Sequence, residues 1–148
     1  MTGRPSAAGF DHPAAHVIEV QVQPADIDAY GHVNNAVYLT WLDRAAWSHS
    51  AALGVPLEQC LVLRRGMAAQ CIEIDYLRAA VRGDRVHAAT WIVGADGRLR
   101  AERRFQIRRA SDGATLARAR IDYVCINLDS GRAARMPEMF ARAYVVTA

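Results

Sequence analysis

From His16 to Gln23 the chain reads H-V-I-E-V-Q-V-Q, apolar and polar residues in alternation. A period of two puts successive side chains on opposite faces, so the segment predicts a half-buried β-strand, ended by Pro24. A polar loop, Ala25 to Asn34, follows. From Ala36 to Leu53 the spacing changes: Tyr38, Trp41, Leu42, Ala45, Ala46 and Ala52 recur at three- and four-residue steps, and Val37, Leu39, Trp47 and Leu53 fill other faces. This predicts a helix apolar nearly all round, hence a buried one. Asn34 or Asn35 suits its N-cap, Gly54 its stop, and Pro56 lies just beyond.

Leu57 to Gly66 has no clear period and reads as a short helical turn with a loop. Strand patterns then return at Met67–Leu77, Arg85–Val93, Leu99–Arg108 and Thr115–Asn127. The breaks between the last four are Arg82-Gly83-Asp84, Ala95-Asp96-Gly97 and Ser111-Asp112-Gly113, the second a hairpin signal. Met136 to Ala143 predicts a closing helix with Pro137 in its first turn. The order β–α–β–β–β–β predicts an α+β fold: an antiparallel sheet of about five strands wrapped around one long central helix. Such a sheet leaves an open edge and an apolar face, which oligomerisation would cover.

At 148 residues the chain is expected to form one domain, residues 16–148, behind a flexible Gly/Pro/Ala-rich leader, residues 1–15, that does not read as a signal peptide. With 52% hydrophobic residues and no run long enough for a bilayer, a soluble cytoplasmic protein without membrane contact is expected. Cys60, Cys71 and Cys125 are widely spaced and fit neither a disulfide framework nor a zinc pattern, and Cys71 and Cys125 read as small core residues. Net charge is +3, and all 18 basic residues are arginines scattered without a stripe or interleaved aromatics, which argues against nucleic acid binding.

Chemistry concentrates in one place. Asp26 to Asn35 holds two carboxylates, an imidazole and two carboxamides at the mouth of the buried helix. Polar groups there must be paired, solvated or functional. A helix N-terminus offers free N–H groups and a positive partial charge, both suited to a developing oxyanion, and a carboxylate beside it supplies a nucleophile or a general base. Asp28 is that candidate. Asp26 reads as a loop cap, Gly31 as a backbone requirement, Asn34 and Asn35 as shapers of the loop.

The run Asp26 to Leu42, D-x-D-x-x-G-H-V-N-N-x-x-Y-L-x-W-L, resembles hotdog-fold acyl-CoA thioesterases, in particular the 4-hydroxybenzoyl-CoA thioesterase family and its long-chain acyl-CoA branch. Tyr76 to Ala80 and Ala119 to Asn127 resemble later strand segments of the same family. The resemblance implies a hotdog fold and metal-free, cofactor-free hydrolysis of an acyl-CoA to free acid and CoA. It also implies a homodimer or homotetramer with sites between subunits. Carried over, Asp28 matches the catalytic carboxylate and the Asn35 backbone N–H the group that polarises the thioester carbonyl. His32 is expected to orient or donate. Gly31, Asn34 and Tyr38 are expected to shape the substrate site, and Arg78 and Arg82 to meet CoA phosphates. Asp43, on the helix, is a second candidate carboxylate, with an ion pair to an arginine as its structural alternative. His49 reads as structural. An acyl carrier protein substrate, or a non-catalytic acyl-CoA-binding module, are the competing readings.

Overall fold

The computed structural model describes residues 3–148. Its elements are β1 (His16–Gln21), α1 (Asn35–Ala52), α2 (Leu57–Leu63), β2 (Arg65–Tyr76), β3 (Arg85–Ala95), β4 (Arg100–Arg109), β5 (Thr115–Asn127) and α3 (Glu138–Ala143). All five strands form one antiparallel sheet in the order β1-β3-β4-β5-β2. The sheet wrapped on one long helix that the pattern predicts, and the hotdog fold that the resemblance implies, are therefore present, and the ambiguous stretch after Gly54 forms α2.

The sheet curls around one side of α1. Tyr38, Trp41, Leu42, Ala45 and Ala46 of the helix pack on Val20, Val86, Phe105, Ile107 and Ile121 of the inner sheet face. Strand alternation selects those residues: Phe105 and Ile107 share their face with Arg103, two residues back. Asn34 is the N-cap, its Oδ1 accepting from the Ala36 N–H at 2.9 Å.

Three expectations change. The helix is not covered all round: Leu39, Asp43 and Trp47, four residues apart, form an exposed stripe on the side the sheet does not reach. Cys125 is buried as expected, but Cys71 is exposed, because a bulge between Ala69 and Cys71 shifts the parity of β2. The segment expected as a flexible leader lies against the outer sheet face. There Ala7 and Phe10 pack on a cluster of Ala15, Val17, Ala89 and Trp91, and the Asp11 carboxylate accepts from Arg118 Nε at 2.7 Å. An apolar outer face needs a cover, and these residues provide it.

Candidate active site

The polar loop ahead of α1 is a small hairpin. Ile27 bridges Val33, the Asp28 N–H donates to the His32 carbonyl at 2.8 Å, and the Gly31 N–H donates back to the Asp28 carbonyl at 3.0 Å. Gly31 has φ +77°, a conformation that costs a side-chain-bearing residue about 1–2 kcal/mol and glycine nothing. The turn is tied to the body by the Val33 N–H, which donates to the Ala80 carbonyl at 2.9 Å.

Asp28 is half-buried. Its Oδ1 accepts from the Tyr30 N–H at 2.9 Å and from the His32 N–H at 3.4 Å, while among the described residues Oδ2 has no partner. One oxygen therefore fixes the carboxylate and the other is available. Asp26 closes the preceding turn, its Oδ2 accepting from the Gln23 N–H at 2.7 Å, and plays no part in the cleft.

The first turn of α1 faces this carboxylate across one cleft. Asn34 takes up two of its N–H groups, those of Ala36 and Val37. The Asn35 N–H, at the first helical position, lacks an intrahelical acceptor and is left for a ligand. The Tyr76 hydroxyl donates to the Asn35 carbonyl at 2.8 Å, which fixes this peptide from the sheet side. Tyr76 also packs edge-on to Tyr38, whose own hydroxyl accepts from the Ala80 N–H at 2.9 Å. The cleft is about 270 Å³ and is lined by Asp28, Tyr30, His32, Asn35, Tyr76 and Arg78 among others.

The sequence candidates thus divide. Asp28, His32, Asn35, Tyr38 and Arg78 meet in one cleft. Asn34 shapes it as the N-cap, and Gly31 shapes it through the turn. Tyr38 is a core residue touching the cleft from behind rather than an open channel wall. The His32 ring is exposed and, among the described residues, accepts or donates no hydrogen bond, so it orients nothing as the chain stands. Arg82 sits in the exposed turn before β3, outside the cleft. Tyr76 was not picked out as a positioning residue; its signal was its place at the end of β2, opposite the start of the helix.

A second, more enclosed cavity of about 300 Å³ lies farther along α1, between its exposed stripe and the inner faces of β2, β4 and β5. Asp43 lines it, has no ion pair among the described residues, and burial raises its carboxyl above the usual range. The expected Asp43–arginine pair is not formed, since none of the ion pairs involves it. His49 is buried, and its Nδ1 lies 2.6 Å from Arg103 Nη1.

A model of the thioesterase-like superfamily matches residues 22–144, which include the loop, the helix and all of the sheet except β1. The chain belongs to this superfamily. Among solved structures it is similar to a 1,4-dihydroxy-2-naphthoyl-CoA thioesterase from Synechocystis, with 26% identity, a TM-score of 0.77, and 86% of this chain and 93% of that one covered. It is also similar in fold to a probable thioesterase from Bartonella henselae, with 23% identity, a TM-score of 0.76, and 84% and 100% covered. A hypothetical protein from Staphylococcus aureus, solved in complex with CoA, has 19% identity, a TM-score of 0.80, and 87% and 80% covered. No curated protein is matched. As a member of the superfamily the chain is a thioester hydrolase on the hotdog fold; the match reaches the superfamily and not the long-chain branch.

Proposed function

We propose that the chain hydrolyses an acyl-CoA at the cleft between the Asp28 loop and the first turn of α1. The observation that carries this reading is the free Asn35 N–H facing a carboxylate that is held by one oxygen and open at the other. A thioester carbonyl placed with its oxygen on the Asn35 N–H, at the positive end of the helix, gains stabilisation as negative charge builds on that oxygen. Asp28 Oδ2 is then the attacking group or the base. As nucleophile, it forms a C–O bond to the carbonyl carbon and the C–S bond breaks. CoA leaves as thiolate and takes a proton from solvent, and water hydrolyses the resulting mixed anhydride to the free acid and regenerated Asp28. As base, it takes a proton from the water that attacks directly. Repeated turnover in H₂¹⁸O followed by mass analysis of the Asp28 peptide tests the nucleophilic route: water that opens the anhydride at the Asp28 carbonyl leaves label in that carboxylate, and the base route leaves none.

Arg78, exposed at the cleft edge, is the candidate for a CoA phosphate, as one fork of a charge-assisted contact. The open edge strand β2 and the apolar side chains beside it, Ile72, Tyr76 and Leu77, support a homodimer or a larger homo-oligomer joined through this edge.

The named relative acts on an aromatic acyl-CoA. The assay is thiol release across short, long and aromatic acyl-CoAs, with the preferred acyl group also tested on an acyl carrier protein. Release that depends on Asp28 supports the reading; no release from any of these thioesters overturns it. A second reading rests on Asp43, whose unpaired carboxyl is raised by burial in the larger cavity. Comparing Asp28→Ala with Asp43→Ala in the same assay decides between them.

A further inference from the structure

Arg103 lies on the inner face of β4, where its neighbours in parity are Phe105 and Ile107. It is only 3% exposed, and no carboxylate among the described residues lies within 4.0 Å of it. Its hydrogen bonds go to neutral groups: Nη1 to His49 Nδ1 at 2.6 Å and Nη2 to Ser50 Oγ at 2.9 Å. The Tyr144 ring lies 5.8 Å from its Cζ. Both terminal nitrogens of the guanidinium are thus engaged, and by uncharged acceptors. A buried cation without an acid is costly, on the order of several kcal/mol, and an anion beside it would recover that.

The larger cavity ends at this group. Its body is apolar, with Leu39, Leu42, Ala46, Trp47, Ile72 and Ile121. Its polar lining includes Arg103, the Tyr123 hydroxyl, which has no partner among the described residues, and the Ser50 and Tyr144 hydroxyls, which bond each other at 3.0 Å. Burial pushes the Tyr123 phenol well up, so that it stays a donor at neutral pH. Asp43 is the one acid in the lining; it sits on the exposed stripe of the helix, burial raises its carboxyl, and its charge adds to the rise of the Tyr123 phenol.

We propose that this cavity binds an apolar molecule ending in a carboxylate, with the carboxylate on Arg103 and Tyr123 and the apolar body against α1 and β2. At a water's share of about 30 Å³ per non-hydrogen atom, 300 Å³ holds roughly ten, the size of octanoate. Two sources share this chemistry: a free carboxylic acid such as a thioesterase product, or the far end of a dicarboxylic acyl thioester. Ser50 lies 15 residues beyond Asn35, about 22 Å along the helix. An extended chain advances roughly 1.2 Å per bond. Within one subunit, only a thioester of about nineteen carbons would therefore reach from the cleft to Arg103, and a shorter ligand there is a free acid. The thioester source rests on the proposed function; the binding site itself does not.

The binding test is calorimetric titration of the intact protein with octanoate and with octanol. Octanoate is expected to bind tighter by roughly tenfold or more, the ratio one charge-assisted hydrogen bond supports. Tyr123→Phe and Arg103→Met are expected to reduce that ratio. Equal affinity for the two ligands, or a ratio unchanged in Tyr123→Phe, overturns the proposal even if Arg103→Met does not fold. The source test is thiol release from nonadecanedioyl-CoA and nonadecanoyl-CoA. Preference for the first, lost in Tyr123→Phe, identifies the thioester end; no preference, with octanoate still bound, identifies the free acid. If neither thioester is cleaved the proposed hydrolysis is in question, while the titration still decides the site.

Discussion

Asp28 and Asp43 are the two carboxylates that face open space along α1, and their surroundings differ. Asp28 is oriented by two backbone N–H groups and lies beside the helix N-terminus; Asp43 has no partner and is one acid on a mostly apolar wall. Asp28→Ala is expected to lower kcat by about 10²- to 10⁴-fold, and Asp43→Ala to change it by less than about fivefold, with both variants folded by circular dichroism. The reverse ranking would move the chemistry to the larger cavity. The Asn35 N–H permits a sharper test, because it can be deleted without deleting the helix. Asn35 is the first helical residue, where proline is favoured, and Asn34 before it has φ −56° and ψ 134°, which proline tolerates in its predecessor. Asn35→Pro is therefore expected to keep Tm within a few degrees and to lower kcat by about 10²-fold or more, the loss of one oxyanion donor. Full activity in a folded Asn35→Pro protein would remove this N–H from the mechanism. At this scale the sequence was most informative where chemistry and local structure coincide, in the thirteen residues from Asp26 to Tyr38. It was silent on Arg103, because an arginine in R-A-E-R-R-F-Q-I reads as a solvated strand residue until strand parity is set by its partners.

At the scale of elements, the cleft depends on how α1 begins. Asn34 satisfies two of the first N–H groups and leaves the third, so the cap both stabilises the helix and selects which donor is free. Asn34→Ala is expected to cost about 1 kcal/mol and to lower Tm by roughly 3 °C, with a fall in kcat as the first turn frays; thermal unfolding and thiol release read the two effects. Tyr76→Phe removes the hydroxyl that holds the Asn35 carbonyl from β2. It is expected to lower kcat severalfold with KM little changed, because it displaces the donor without touching the substrate. The element order and the four later strands were legible from strand patterns and the Gly- and Asp-containing turns, with ends at most two residues out. Two features were not. The uncovered stripe Leu39–Asp43–Trp47 looks, in sequence, like any other face of an apolar helix, and only the width of the sheet decides which face stays open. The β2 bulge that exposes Cys71 leaves no mark in composition, since one extra residue reverses parity without changing a single side chain.

For the whole molecule, the cationic cluster behind the larger cavity sets an acid limit on stability. His16 and His49 stack with ring centroids 5.1 Å apart between two arginines, Arg4 against His16 Nδ1 at 2.7 Å and Arg103 against His49 Nδ1 at 2.6 Å; Ser48 Oγ closes the far side of His16 at 2.7 Å. Burial first, and then the arginines, lower His16 to about 4 and His49 to about 3. A histidine held neutral in the fold contributes stability that is complete above its unfolded value near 6.5 and is lost as pH falls towards its folded value. Below 6.5 the unfolded chain takes up protons that the fold does not. At pH 5 this amounts to about 2 kcal/mol for each histidine. The carboxylates lowered by their arginine partners, Asp11 and Asp129, lose their contribution only below their unfolded value of 3.8. Asp43, raised by burial, acts with the opposite sign as it protonates and partly offsets the loss. Urea unfolding between pH 7 and 4.5 therefore isolates the histidine pair, and the midpoint is expected to fall steadily across that window. His49→Asn keeps an acceptor for Arg103 and cannot titrate, so its midpoint should fall with a visibly shallower slope. Parallel slopes in the two proteins would show that His49 does not set the acid limit.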